Sequence, residues 1–141
     1  MRSLICSLFI LATFLTTSCT PDTPVTPASN SVTIKYEMSC SAPILPAPSG
    51  LYNYVTYTKS DGNGTEERNV ITSSPWSKTI TLNVTQRPLG IVFSGQTFTG
   101  SNGTITSKIY VNNELKATRN SQISNSGSVY AGSWVTTYTM Y

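Results

Sequence analysis

Hydrophobic and polar residues alternate from Val32 to Ser41: Val32, Ile34, Tyr36, Met38 and Cys40 fall on one parity, Thr33, Lys35, Glu37, Ser39 and Ser41 on the other. A period of two marks a strand with one face buried and one wetted. Ala42 to Gly50 breaks the pattern with Pro43, Pro46 and Pro48, which cannot donate to a ladder. Tyr52 to Lys59 resumes it, Ser60-Asp61-Gly62-Asn63-Gly64 is a turn, and a strand from about Thr65 to Ile71 returns, so a hairpin is predicted. Trp76 to Thr85 sets Ile80, Leu82 and Val84 against Thr79, Thr81, Asn83 and Thr85, and Leu89, Ile91 and Phe93 start a strand ending near Thr99. After the turn Gly100–Gly103, Ile105, Ile109 and Val111 lead into Asn112-Asn113. Both asparagines tolerate the left-handed backbone of a type I′ hairpin. Glu114 to Asn120 is the expected partner strand, Ser121 to Gly127 a loop, and Ser128 to about Met140 the last strand.

No helical period intervenes, so the predicted class is all-β, with about seven to eight antiparallel strands. A single flat sheet would leave its apolar face wet, which points to a two-layer β-sandwich. A closed barrel satisfies the same pattern.

The first residues follow a different logic. Met1-Arg2 is a positive start, Leu4 to Leu15 an apolar run of twelve residues, and Leu15-Thr16-Thr17-Ser18-Cys19 resembles a lipobox with its aliphatic residue one place further from the cysteine than usual. A run of that length is too short for a bilayer core, which takes roughly 20 helical residues, and matches the apolar region of a signal peptide. The expected organisation is a lipoprotein signal peptide over residues 1–18, a lipidated Cys19 with a Pro/Thr-rich linker over 19–30, and a β-sandwich domain over 31–141. An ordinary signal-peptidase site, with Cys19 an incidental small residue, is the competing interpretation. A diacylglyceryl thioether with a further palmitate-type acyl chain on the new amino group anchors stably, where a single chain binds only marginally. Pro21, Pro24 and Pro27 favour extended backbone between anchor and domain. Asp22 stands alone after Cys19, without the acidic stretch that marks surface export in Bacteroidetes-like bacteria. The expected address is therefore the cell envelope, at the outer membrane, leaning to the periplasmic face.

Composition narrows the chemistry. Charged residues make up 11% of the chain, and the net charge of +3 includes Arg2 and comes from scattered residues. Nucleic-acid binding by charge concentrates Lys and Arg on one face, so no nucleic-acid partner is expected. The chain has no His, which removes the commonest general base and the commonest metal ligand. Cys6 leaves with the signal and Cys19 carries lipid, so Cys40 is left as a small hydrophobe on the apolar parity of its strand. No catalytic residue, metal site or cofactor is expected: adjacent Glu66 and Glu67 point to opposite faces of a strand, and Asp61 sits in a turn.

Aromatic residues are the remaining candidates for recognition. Tyr130, Trp134, Tyr138 and Met140 share a parity opposite Val129, Ala131 and Val135. One set faces the core and the other solvent or a partner, unless the strand is buried on both faces. The expected binding surface comprises Trp134, Tyr130 and Tyr138, with Trp76 as either a ligand platform or a plug at the end of the core. Tyr52 and Tyr54 share a face and Tyr57 points away.

Pro75-Trp76-Ser77-Lys78-Thr79, the hairpin Gly103 to Leu115, and Thr33-Ile34-Lys35-Tyr36-Glu37 together resemble the exported domain of the MmpS family, over roughly Val32 to Val129. The resemblance implies a small β-sandwich of immunoglobulin-like character, held at a membrane beside large lipid-exporting transporters. The chain departs from that family at Asn112-Asn113, where an Asp-Gly pair is usual, and in its lipid anchor, where actinobacterial members use a transmembrane helix. The expected function is a non-catalytic binding or accessory module on an envelope lipoprotein, meeting an envelope protein or lipid partner, with a place beside an envelope transport system. A structural or adhesin-type surface subunit assembling by strand addition is the alternative.

Overall fold

The computed structural model describes residues 31–85 and 87–141; the signal, Cys19 and the linker lie outside them. Nine strands, all antiparallel, and no helix make up the described residues: β1 (Ser31–Cys40), β2 (Ile44–Leu45), β3 (Tyr54–Thr58), β4 (Gly64–Arg68), β5 (Trp76–Asn83), β6 (Leu89–Thr99), β7 (Gly103–Val111), β8 (Glu114–Ser126) and β9 (Val129–Met140). They form one sheet in the order β4-β3-β6-β9-β8-β7-β1-β5, with β2 added to the end of β6. The sheet is strongly curled into a half-barrel and encloses its own apolar face.

Most predicted strands and the Asn112-Asn113 hairpin are present, with φ of 50° and 67° at the two asparagines. Two segments differ. The proline-rich stretch after β1 contains β2, whose Ile44 and Leu45 pair with Thr99 and Phe98. The loop expected over Ser121 to Gly127 is instead the second half of β8. Gln122, Ser124 and Asn125 are exposed, while Ile123 is buried. This strand makes the corner of the fold: Glu114 to Ile123 pair with β7, then Ser124, Asn125 and Ser126 pair with β9.

The core lies on the concave side. Ile34, Tyr36 and Met38 of β1 meet Val55 and Tyr57 of β3, Ile91 and Phe93 of β6, Ile105 and Ile109 of β7, and Trp134 of β9. Phe93 is the hub, its ring 5.4 Å from Tyr36, 5.8 Å from Trp76 in a stacked pair, and 5.8 Å from Trp134 edge-on. Aromatic pairs of this kind contribute about 0.5–1.5 kcal/mol each beyond their buried area. The Tyr36 hydroxyl donates to the Thr58 carbonyl at 2.8 Å, so a buried polar tip also spans the two halves.

Curling this tightly requires missing side chains. Gly95 of β6 is paired with Trp134, whose ring lies over it; a Cβ on Gly95 would sit 2.5 Å from Trp134 Cζ2 and closer still to the Tyr54 carbonyl oxygen. Gly132 of β9 faces β7, and a Cβ there would meet Ile105 Cδ1 at 2.5 Å. Further along the same two strands, the hydroxyls of Ser107 and Thr136 bond to each other in the core.

The free ends of the sheet, β4 and β5, are not paired with each other. Side chains close that side: Glu67 of β4 accepts from the Tyr57 hydroxyl and from Lys78 of β5, the latter at 3.1 Å. The Tyr57 bond holds the Glu67 carboxyl below its usual range. Glu37, bonded first by Lys35 at 2.8 Å, is held down in the same way. Burial pushes the Tyr36 phenol up.

Two expectations follow. Gly95→Ala overpacks the sheet and should cost about 1–3 kcal/mol in urea denaturation, whereas Gly90→Ala on the same strand, with nothing within 4 Å of its Cβ, should be close to neutral. Stability lent by carboxylates with depressed pKa is present above about pH 4.5 and lost as pH falls through their folded values. For Tyr36 the sign reverses: above about pH 10 the unfolded chain loses a proton that the folded one keeps, so stability falls again. The unfolding free energy from urea denaturation should form a plateau between those limits, and Glu67→Gln should lower it by about 0.5–1 kcal/mol and flatten its acid side.

Candidate functional site

An apolar groove opens at the end of the sheet where β1 finishes. The chain leaves Cys40, crosses the prolines, adds β2 to β6 and returns through a turn closed by the Leu51 N–H to the Pro48 carbonyl at 2.9 Å. The prolines on either side of β2 limit it to two residues. Ile44, Leu45, Pro46, Pro48 and Leu51 form one wall and Asn69, Ile71 and Thr72 the other, around a volume of about 420 Å³. Leu45 and Leu51 are 44% and 52% exposed. Pro46 and Pro48 also border a smaller depression of about 180 Å³ with Phe98 and Tyr130.

Asn53 holds the base of the groove. It is buried, its Nδ2 donates to the Leu45 carbonyl at 2.9 Å and to the Ile71 carbonyl at 3.5 Å, and its Oδ1 accepts the Phe98 N–H at 2.8 Å and the Thr97 hydroxyl at 3.2 Å. Its backbone carbonyl takes the Asn69 N–H. One amide therefore ties β2, β6 and the 69–72 wall together. With its hydrogen bonds spent inside the protein, Asn53 is a brace, and the open part of the groove offers mainly apolar surface.

The groove lies far from where the domain begins. Ser31 pairs with Asn83 at one end of the sheet and Cys40 with Ile105 at the other; the ten residues of β1 span about 30 Å at ~3.3 Å each.

The four predicted surface aromatics do not form one surface. Trp134 is 2% exposed, and its indole N–H has no hydrogen-bond partner among the described residues. The even-numbered side of β9 turns inward because that buries its largest rings, leaving Val135 on the outside at 55% exposure. Tyr138 is half-buried on that inward side. Trp76 opens β5 and stacks on Phe93, which is the core-plug alternative. Tyr130 alone reaches the groove region, at the smaller depression. Tyr52 and Tyr54 share a face as expected, 5.8 Å apart, with the Arg68 guanidinium 3.9 Å over Tyr52. Compared with known proteins, the chain matches no family model, and no curated protein is similar to it in sequence.

The carboxylates among the described residues are dispersed, each beside its own cation: Glu37 with Lys35 and Lys108, Asp61 with Lys59, Glu66 with Arg68, Glu67 with Lys78, and Glu114 with Lys116. No group of three or more potential metal ligands converges among those residues. Cys40 is half-buried, and burial pushes its thiol up, away from the reactive thiolate form. The groove itself was missed in the sequence because its leucines lie in a stretch whose prolines mark it as a break; two exposed leucines flanking Pro-Ala-Pro were the available signal.

Asn53→Ala should leave the buried Phe98 N–H and Leu45 carbonyl without their partner. The expected cost is about 2–3 kcal/mol, read by urea denaturation, with amide exchange at Phe98 accelerated more than at β7 amides such as Ile109.

Proposed function

We propose that this protein is a non-catalytic binding module of a bacterial envelope lipoprotein, tethered through Cys19 and presenting the apical groove to a partner. The observation that carries the reading is the position of the groove: an apolar opening of about 420 Å³, with Leu45 and Leu51 exposed, lies at the end of the sheet opposite Ser31, where the described domain begins. A lipid at Cys19 would tether the domain from the end opposite that opening. An apolar segment of an envelope protein is thus a better match than the lipids of the anchoring leaflet. Volume and lining fall within the range of concave, mostly apolar recognition sites. The dispersed, cation-paired carboxylates support a binding role over a catalytic one. The resemblance to the MmpS exported domain at Pro75–Thr79 and Gly103–Leu115 supports an immunoglobulin-like interpretation of the curled sheet and a place beside an envelope transport system, at the periplasmic face of the outer membrane.

A second reading, a structural subunit assembling by strand addition, is favoured by one observation: β5 has no partner strand on its outer edge among the described residues.

The test combines anchor and groove in cells. Cys19→Ser should move the protein from the membrane to the soluble fraction and abolish palmitate labelling. A photo-crosslinking residue at Leu51 should trap a defined envelope protein that the same residue at Thr118, on the outer face of β8, does not. Equal products from both positions, or none from Leu51, would sink the groove reading.

A further inference from the structure

Four strand edges carry backbone groups without a partner strand over much of their length among the described residues: those of β4, β5 and, beyond their short shared ladder, β8 and β9. Three of them are protected. β4 is five residues long and carries Glu66, Glu67 and Arg68. β8 bears Glu114, Lys116 and Arg119 and has a register shift opposite Ile109 and Tyr110. The outer edge of β9 faces β8 across a seam lined by Arg119, Ser121 and Ser133. Charges, short length and irregular register are the usual ways in which proteins prevent an edge from pairing.

β5 is the least protected of the four, its one safeguard being the side-chain link from Lys78 to Glu67 of β4. It runs eight residues, Trp-Ser-Lys-Thr-Ile-Thr-Leu-Asn, in unbroken register with β1. It has no proline or glycine, and β-branched residues occupy its centre. Its one charge, Lys78, is already bonded to Glu67 of its own fold, so a new neighbour does not have to neutralise it. Ile80 is only half-buried.

We propose that β5 pairs antiparallel with β5 of a second copy of this chain, about a two-fold axis at Ile80. In that register Ile80 lies opposite its own copy, Thr79 opposite Thr81, Lys78 opposite Leu82, and Ser77 opposite Asn83. Threonine pairs and apolar pairs are favourable cross-strand neighbours. The two Lys78 side chains stay about 13 Å apart along the strands; centring on Thr79 instead would bring them to about 7 Å and place Trp76 against Leu82. The edge is thus self-complementary, as an isologous contact requires. It joins the β8-β7-β1-β5 halves of two copies into one continuous sheet. A ladder of this length is small beside a standard interface, so the dimer is reversible, with Kd roughly micromolar or weaker.

This inference deepens the strand-addition reading and is independent of the groove: Ile80→Lys should leave crosslinking at Leu51 unchanged, so either idea can fail alone. The full chain in mild detergent should show, by sedimentation equilibrium, a mass rising with concentration toward twice the monomer's, and Ile80→Lys should hold it at the monomer. Because Ile80 also touches the core, a second measurement fixes the register. In a Cys40→Ser background, Ile80→Cys should form a disulfide-linked dimer on mild oxidation, its two Cα atoms lying within bridging range. Ser77→Cys, whose copies would be about 20 Å apart, should give none beyond background. A monomer at every concentration, a dimer that survives Ile80→Lys, or Ser77→Cys bridging as readily as Ile80→Cys would overturn the proposal.

Discussion

A sheet with one apolar face and no helix to cover it can bury that face only against itself, and in this protein the burial converges on Phe93. Its ring touches Tyr36 and Trp76 from one half of the curled sheet and Trp134 from its own half. Tyr57, 5.3 Å from Tyr36, extends the cluster toward the open side, where its hydroxyl meets Glu67. Removing the hub would leave a void bounded by large rings that smaller aliphatic neighbours could not fill.

The curl has requirements and consequences. Gly95 and Gly132 let strands approach where any Cβ would collide, and the Ser107–Thr136 pair supplies small polar groups that satisfy each other inside. Among the described residues, the Trp134 indole N–H is left without a partner; burying such a group costs about 1–3 kcal/mol, a cost offset by the area its ring covers. A sheet rolled partway also has ends. At β4 and β5 the backbones stay apart and Lys78, Glu67 and Tyr57 close the side instead. Over the top, the 42–53 crossing and the 69–72 segment meet around Asn53 and leave the groove between them.

Much of the local structure was legible because it is decided locally. Alternation in β1, β5 and β6, the positive-φ asparagines at the β7–β8 turn and the opposite faces of Glu66 and Glu67 all follow from a period of two and turn chemistry. The second half of β8 was not legible: Ser121 to Ser126 has the composition of a loop, and only pairing with two different strands, β7 and then β9, makes it the corner of the sheet. The groove was hidden for a related reason. Its walls come from residues 44–51 and 69–72, brought together by an amide whose four partners lie elsewhere in the chain.

By itself, the sequence determined the all-β class, most strand limits and the presence of two alternating faces, since neighbouring residues set these through backbone geometry. It also supports the expected lipid address at Cys19, which a linear signal can carry. Which face of β9 turned inward, whether Trp134 and Tyr130 would share a surface, and which edge stayed bare were decided only by the tertiary structure. Those outcomes depend on how far one sheet must curl to bury Phe93, and no single segment contains that information.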